Sequence, residues 1–247
     1  MAIPADPDPL YSDTEAAAGS LGAVLRAVAV EEGLSVPFTV SEHDPVRRAS
    51  VAGPVPHRTP LDITAWAVER RWSIRGCESF QDLALVDGDT QDLVQVVRAA
   101  QAWHDGAGLA DIQRAAPFAH LTGRHDVSDH DPVELTESEW QHLLTEASES
   151  DWPSYLALIE ASYAEPALRA LYPYTSHWTL RFARTTRPRL AGDVAVCLAA
   201  AYREDRYTVS AQYMGEVLAE TTTAVEAVAT ALRHLPPDLG PVMSGAL

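Results

Sequence analysis

The residues best suited to chemistry fall in one short run, Leu171-Tyr172-Pro173-Tyr174-Thr175-Ser176-His177-Trp178. It holds two phenols, two hydroxyls and an imidazole where the pattern changes from helical to alternating. His177 is the residue type whose ordinary pKa lies nearest neutrality, which suits a general base. Tyr172 and Tyr174 could give or take the matching proton. Arg181 follows on a strand, opposite the face of Trp178, Leu180 and Phe182, where a guanidinium could orient an oxyanion or a carboxylate. Ser176 offers a hydroxyl to a bound substrate. A structural reading competes: Pro and Tyr fill a corner, Thr175 and Ser176 satisfy turn backbone, and His177 caps a strand.

Other groups carry weaker signals. His120, His125 and His130 lie beside Asp126, Asp129 and Asp131, and imidazole with carboxylate suits zinc or manganese. A spacing of five does not put three ligands on one helix face, and the flanking Gly and Asp suggest a solvated turn, so no metal is expected. Cys77 follows Gly76 near a turn, where it could be exposed, whereas Cys197 sits in an apolar strand and should be inert. The two cysteines match no zinc or redox spacing and no disulfide framework. Arg181, Arg184, Arg187 and Arg189 cluster, while Asp126 to Glu165 holds eleven acids and no Arg. These are either solvated faces or docking surfaces for partners of opposite charge. No G-x-S-x-G, H-E-x-x-H, G-x-G-x-x-G or EF-hand loop is present.

Composition narrows the field. All 18 basic residues are arginine, against 35 acids, giving a formal net charge of −17 over 247 residues. A chain without lysine has no Schiff-base lysine, no lysine base and no Walker-type phosphate loop. The acidic balance argues against nucleic acid and anionic membranes as partners. The N-terminal Pro- and Asp-rich stretch has no signal-peptide pattern, and the longest apolar runs are too short to span a bilayer. A reducing cytoplasm is the expected location.

The elements that must position these groups follow from periodicity. Residues 1–13 read as a disordered leader, followed by an N-terminal α+β unit to residue 125. A helical region plus a C-terminal α+β unit then covers 126–247. A helix is expected over Thr14–Glu32, with Leu21, Val24, Leu25 and Val28 inward and Gly33 as its stop. Val36, Phe38 and Val40 predict a strand, and Arg47 to Pro60 predicts short strands and turns. Trp72 and Ile74 predict another strand; a turn at Gly76 then leads to a strand over Phe80–Val86. Asp87-Gly88-Asp89-Thr90 predicts a turn with Thr90 capping a helix that carries Leu93, Val94, Val97 and Ala100. Thr136 with Glu139 forms a capping-box pattern before Trp140 and Leu143. Asp151 with Pro153, and then Pro166, open two more helices, the second ending near Tyr172-Pro173. Strands follow with Leu180 and Phe182, over Val194–Tyr202, at Tyr207 and Val209, and at Glu216–Ala219. Thr221–Thr223 then cap a helix bearing Val225, Val228 and Leu232. Phe80 precedes Thr90 by ten residues, as Tyr213 precedes Thr223. Either an internal duplication of a strand–strand–helix unit or the general likeness of such units accounts for this. The fold class is α+β, with antiparallel hairpins each followed by a helix.

The run Pro166-x-Leu168-Arg169-x-Leu171 through His177, then Leu180-Arg181-Phe182, resembles the hallmark of an actinobacterial family of unknown function. So do Ala102-Trp103-His104-Asp105-Gly106 and the ending Leu235-Pro236 to Gly240-Pro241. The family is domain-of-unknown-function family 6193, described as natural product biosynthesis proteins, and the resemblance runs from about Arg47 onward. It implies a setting among genes for specialised metabolites, including ribosomally made modified peptides. It transfers no catalytic residues, and it makes Trp103 and His104 candidates for substrate binding. The expected function is an accessory protein or cofactor-independent enzyme acting on a precursor peptide, for example in acid–base-assisted cyclisation. A non-catalytic peptide-binding or immunity-like module is the alternative. Partners would be the precursor or a biosynthetic enzyme, in a homo- or hetero-oligomer.

Overall fold

The computed structural model describes residues 10–12, 19–186, 193–237, 239–240 and 242–245. The expected leader, the start of the first expected helix, and Arg187 and Arg189 lie wholly or mostly outside them. Among the described residues are seven helices and eleven strands, and the chain divides after Thr122 into two compact units. Both are α+β units built on an antiparallel sheet whose strands lie side by side in chain order.

The N-terminal unit runs α1 (Leu21–Glu31), β1 (Thr39–Val40), β2 (Arg48–Val51), β3 (Leu61–Ala65), β4 (Trp72–Cys77), β5 (Ala84–Thr90), α2 (Leu93–His104), α3 (Leu109–Ala115) and β6 (His120–Leu121). Alternation decides which face of the sheet is covered. Leu61, Ile63, Ala65, Trp72 and Ile74 point into a core shared with Leu21 and Leu25 of α1, Val96, Val97 and Trp103 of α2, and Ile112 of α3. Each such large apolar side chain contributes about 2 kcal/mol on burial. Gly76 is needed because a Cβ there would run into the Trp103 indole.

Local signals misplaced several boundaries in this unit. The strand expected over Phe80–Val86 is β5, shifted to Ala84–Thr90, so Asp87–Thr90 is strand rather than turn. Gly88, at φ 152°, makes that continuation possible beneath the Phe118 carbonyl. The cap of α2 is therefore Asp92, whose carboxylate accepts from Val94 N–H, while Thr90 accepts from Asp92 N–H. Cys77 is buried within β4, not exposed at a turn. The strand expected from Val36 shrinks to Thr39–Val40.

The C-terminal unit runs α4 (Pro132–Glu149), α5 (Pro153–Ala164), α6 (Pro166–Arg169), β7 (Tyr172–Ser176), β8 (Thr179–Ala183), β9 (Asp193–Ala200), β10 (Tyr207–Ser210), β11 (Val217–Thr221) and α7 (Ala224–Arg233). Leu180, Phe182, Val196, Leu198 and Val209 face a core with Trp140 and Leu143 of α4, Leu158 and Ile159 of α5, and Val228 and Ala231 of α7. The Thr136–Glu139 capping box does not form, because Asp131 caps α4 five residues before the expected cap, ahead of Pro132 at its first position. Thr136 instead donates to Pro132 O, and Glu139 takes a two-point ion pair from Arg124 at 2.7 and 2.9 Å. Trp152, not Asp151, stands at the cap position of α5. In α7 the inward stripe is Ala224, Ala227, Val228 and Ala231, and Val225 faces solvent.

The exits of the two sheets share one spacing. β5 ends at Thr90, Asp92 caps and Leu93 begins α2; β11 ends at Thr221, Thr223 caps and Ala224 begins α7. The matching threonines are thus Thr90 and Thr221, not Thr90 and Thr223.

Candidate functional site

The run from Tyr172 to Arg181 is a two-residue β-hairpin, not a helix-to-strand corner. Pro173 lacks a donor and is tolerated because β7 is an edge strand. Register pairs Tyr172 with Ala183, Tyr174 with Arg181 and Ser176 with Thr179, which puts all six on the sheet face away from the helices. Thr175 and Pro173 pair with Leu180 and Phe182 on the helix-covered face. His177 and Trp178 form the turn, both in left-handed backbone at φ 50° and 63°. A two-residue hairpin loop of this sense normally takes Asn-Gly. Here two ring-bearing side chains occupy it, so Trp178 leaves the Leu180–Phe182 face and is 47% exposed.

The turn is tied to a residue outside the Tyr172–Arg181 run. Tyr213, in the loop between β10 and β11, places its hydroxyl 2.8 Å from His177 Nδ1, and the two rings stack at 5.9 Å. Ser176 Oγ lies 3.3 Å from the same nitrogen. With Nδ1 unprotonated, Tyr213 donates to it and the ring proton sits on Nε2, which has no hydrogen-bond partner among the described residues. The Arg181 guanidinium lies 5.0 Å from the Tyr174 ring centre and 5.4 Å from that of Tyr213. Each such cation–π contact is worth about 0.5–1 kcal/mol at an exposed site. The outer face thus carries a connected set: Tyr174, Arg181, Tyr213, His177 and Ser176. In the sequence Tyr213 stands out only through its spacing of ten residues from Thr223, which says nothing of a contact with His177.

Trp178 leads into a second group. Its ring centre lies 5.8 Å from that of Trp152 and 5.5 Å from that of Tyr155, and Tyr202 crosses Trp152 at 5.3 Å and 90°. Tyr155 is fully buried and donates to Glu146 at 3.0 Å. Burial, and then the Glu146 carboxylate, push its phenol well above the usual tyrosine range, so it stays a donor. Tyr202 is 53% exposed, with Arg203 stacked over its ring at 5.0 Å. Arg203 is also in left-handed backbone, at φ 62°. The turn ends of β7–β8 and β9–β10 therefore present an indole, a phenol and a guanidinium to solvent.

The remaining candidates have the following surroundings within their own units. Tyr172 is buried on the outer face against Val242 and Ala183. Trp103 and His104 end α2 of the N-terminal unit: Trp103 is core, 1% exposed beneath Arg58, and His104 Nδ1 lies 2.9 Å from Ala52 O. His120 stands in β6 with Nδ1 3.2 Å from Asp87. His125 N–H donates to Ser138 of its own unit. Among the described residues no three His, Cys, Asp or Glu side chains gather as metal ligands. Cys197 is buried in β9 opposite Arg181.

Chemically, the outer face can do two things. Arginine and exposed aromatics on rigid hairpins supply hot-spot side chains for recognition. An imidazole with a phenol on one nitrogen can also pass a proton through the other. Residues 134–246 match the model of a family of unknown function, DUF6193. That span includes the Leu168–Phe182 and Leu235–Pro241 motifs but not Ala102–Gly106, so it is shorter than the resemblance from Arg47 suggested. No curated protein and no solved structure matches the chain. No helix among the described residues is long and apolar enough to cross a membrane.

Proposed function

For a chain whose C-terminal unit belongs to the family DUF6193, we propose a recognition role: the unit binds a peptide precursor on the outer face and turn end of its sheet. The observation that carries this reading is the His177–Trp178 turn. Left-handed backbone at a non-glycine residue costs about 1–2 kcal/mol, and such outliers persist where function uses them. Here the cost maintains a half-exposed indole packed on Trp152 and Tyr155 and an imidazole fixed by Tyr213. The same Tyr213 that stacks on the imidazole also carries the Arg181 guanidinium. These are the side-chain types that dominate binding energy in interfaces.

The family resemblance supports a setting in natural-product biosynthesis, with the ribosomally made precursor or its modifying enzyme as partner. The two cysteines, which match no disulfide framework, support a reducing cytoplasm. Nucleic acid and membrane are not partners in this reading, and it needs no cofactor. A second reading has its own support, the Tyr213–His177 hydrogen bond that orients Nε2 for acid–base catalysis, as in cyclisation by addition of a thiol to a dehydroamino acid.

The test is titration of precursor peptides encoded beside this chain against the protein, read by tryptophan fluorescence, with turnover followed in the reconstituted pathway. Recognition predicts that Trp178→Ala and Arg181→Ala each weaken binding about tenfold or more. Unchanged affinity in both variants refutes it. A His177→Ala variant that keeps precursor affinity but loses turnover selects the catalytic reading.

A further inference from the structure

Beyond the end of β8 the chain pairs with its own C-terminal segment. Met243 N–H donates to Arg184 O at 2.9 Å, and Thr186 N–H donates to Met243 O at 3.1 Å. Gly245 N–H reaches Thr186 Oγ1 at 3.3 Å. The bridge between Thr185 and Met243 is parallel, whereas every strand pair within the two sheets is antiparallel. Side chains alternate as in a strand: Val242 is 6% exposed and Met243 60% exposed. Val242 seats on Tyr172 and Ala183 with Tyr174 at the rim, in a cluster separate from the main core of this unit.

Main-chain bonds plus one alternating anchor side chain are how a sheet takes up an extended peptide by strand addition. We propose that the ledge at Arg184–Thr186 is an exchangeable peptide-binding edge, with residues 242–245 as its resident occupant. The incoming ligand is an extended peptide that places a β-branched apolar residue where Val242 sits. This rests on the peptide-recognition reading above and deepens it. Tyr174 both rims the Val242 seat and stacks on Arg181, so the ledge and the His177–Tyr213 cluster form one continuous track. A short tether holds the resident segment at an effective concentration in the millimolar range. It therefore excludes weak competitors and yields to a peptide that also engages Arg181 and Trp178.

The experiment uses the full chain and a fluorescent synthetic peptide with the sequence of residues 240–247, read by anisotropy. Two variants release the resident segment by different means. Met243→Pro deletes the N–H that Arg184 O accepts, and Val242→Asp removes the apolar anchor. Both variants should bind the peptide about tenfold or more tightly than the wild type, whose ledge is filled. A peptide with proline at the methionine position should not bind. Either variant that melts as the wild type does and yet binds no better overturns the proposal, as does equal binding by the wild type. The probe is the chain's own segment, so this outcome is independent of precursor titration. Failure of the ledge and failure of the recognition reading are thereby told apart.

Discussion

Exchanging His177-Trp178 for Asn-Gly separates strain from recognition. The pair relieves two left-handed outliers, at about 1–2 kcal/mol each for His177 and Trp178. Against this stand the Trp178 contacts with Trp152 and Tyr155, at about 0.5–1.5 kcal/mol each. The buried half of the indole adds about 2 kcal/mol, and the hydrogen bond from Tyr213 to His177 about 1 kcal/mol. Relief offsets more than half of the loss, leaving a net destabilisation of about 2 kcal/mol. That is well below the ~3–5 kcal/mol for truncating a tryptophan in a core. Urea unfolding followed by far-UV circular dichroism measures it, and precursor titration on the same variant measures recognition. The expected result is a protein close to wild-type stability whose affinity falls more than tenfold. A loss of ~4 kcal/mol or more, or retained affinity, would refute the view that the turn is kept for its exposed side chains.

The Arg124–Glu139 pair is about nine-tenths buried at both ends. Arg124→Ala should cost about 3–5 kcal/mol, because it strands a buried carboxylate, whereas Arg124→Met with Glu139→Leu should be close to neutral; thermal melts of the two variants check this. Gly76→Ala should cost more than about 2 kcal/mol through its clash with Trp103, seen as a lower urea midpoint at unchanged slope. Tyr155 has a phenol held above its unfolded value, by burial first and Glu146 second. The unfolded chain therefore ionises first as pH rises above about 10, so the stability this phenol contributes is present below that pH and lost above it. The drop in unfolding free energy between pH 9 and pH 11 should shrink in Tyr155→Phe.

Fold class was legible because burial imposes periodicity: Trp72 and Ile74 alternate where β4 runs, and Leu21 and Leu25 recur where α1 turns its face inward. What failed were signals decided by tertiary context. Asp87-Gly88-Asp89-Thr90 has turn composition, yet β4 supplies a pairing partner for each of its residues and keeps it extended. Thr136 and Glu139 have the spacing of a capping box, but Asp131-Pro132 starts the helix a turn earlier. At the site, the sequence suggested a helix-to-strand corner, whereas strand pairing makes Tyr172–Arg181 a hairpin. It could not see Tyr213, 36 residues away from His177 and joined to it only by the approach of a loop. Trp103 and His104 stood out by family resemblance, and neither the burial of Trp103 nor the approach of His104 to Ala52 could be read from their spacing.

Both sheets are wound so that spatial order follows chain order. Nearly all pairings in them are consequently between near neighbours in sequence, so contact order is low for β-rich structure and loop-closure entropy is met in small steps. Each sheet can zip hairpin by hairpin during synthesis. The N-terminal unit is complete in sequence by Thr122, before any residue of the other core has been made. In the C-terminal unit, the segment that fills the Arg184–Thr186 ledge is made well after the β7–β8 hairpin that leads to it. On the ribosome that edge is therefore open for the whole time the hairpin before it is already formed.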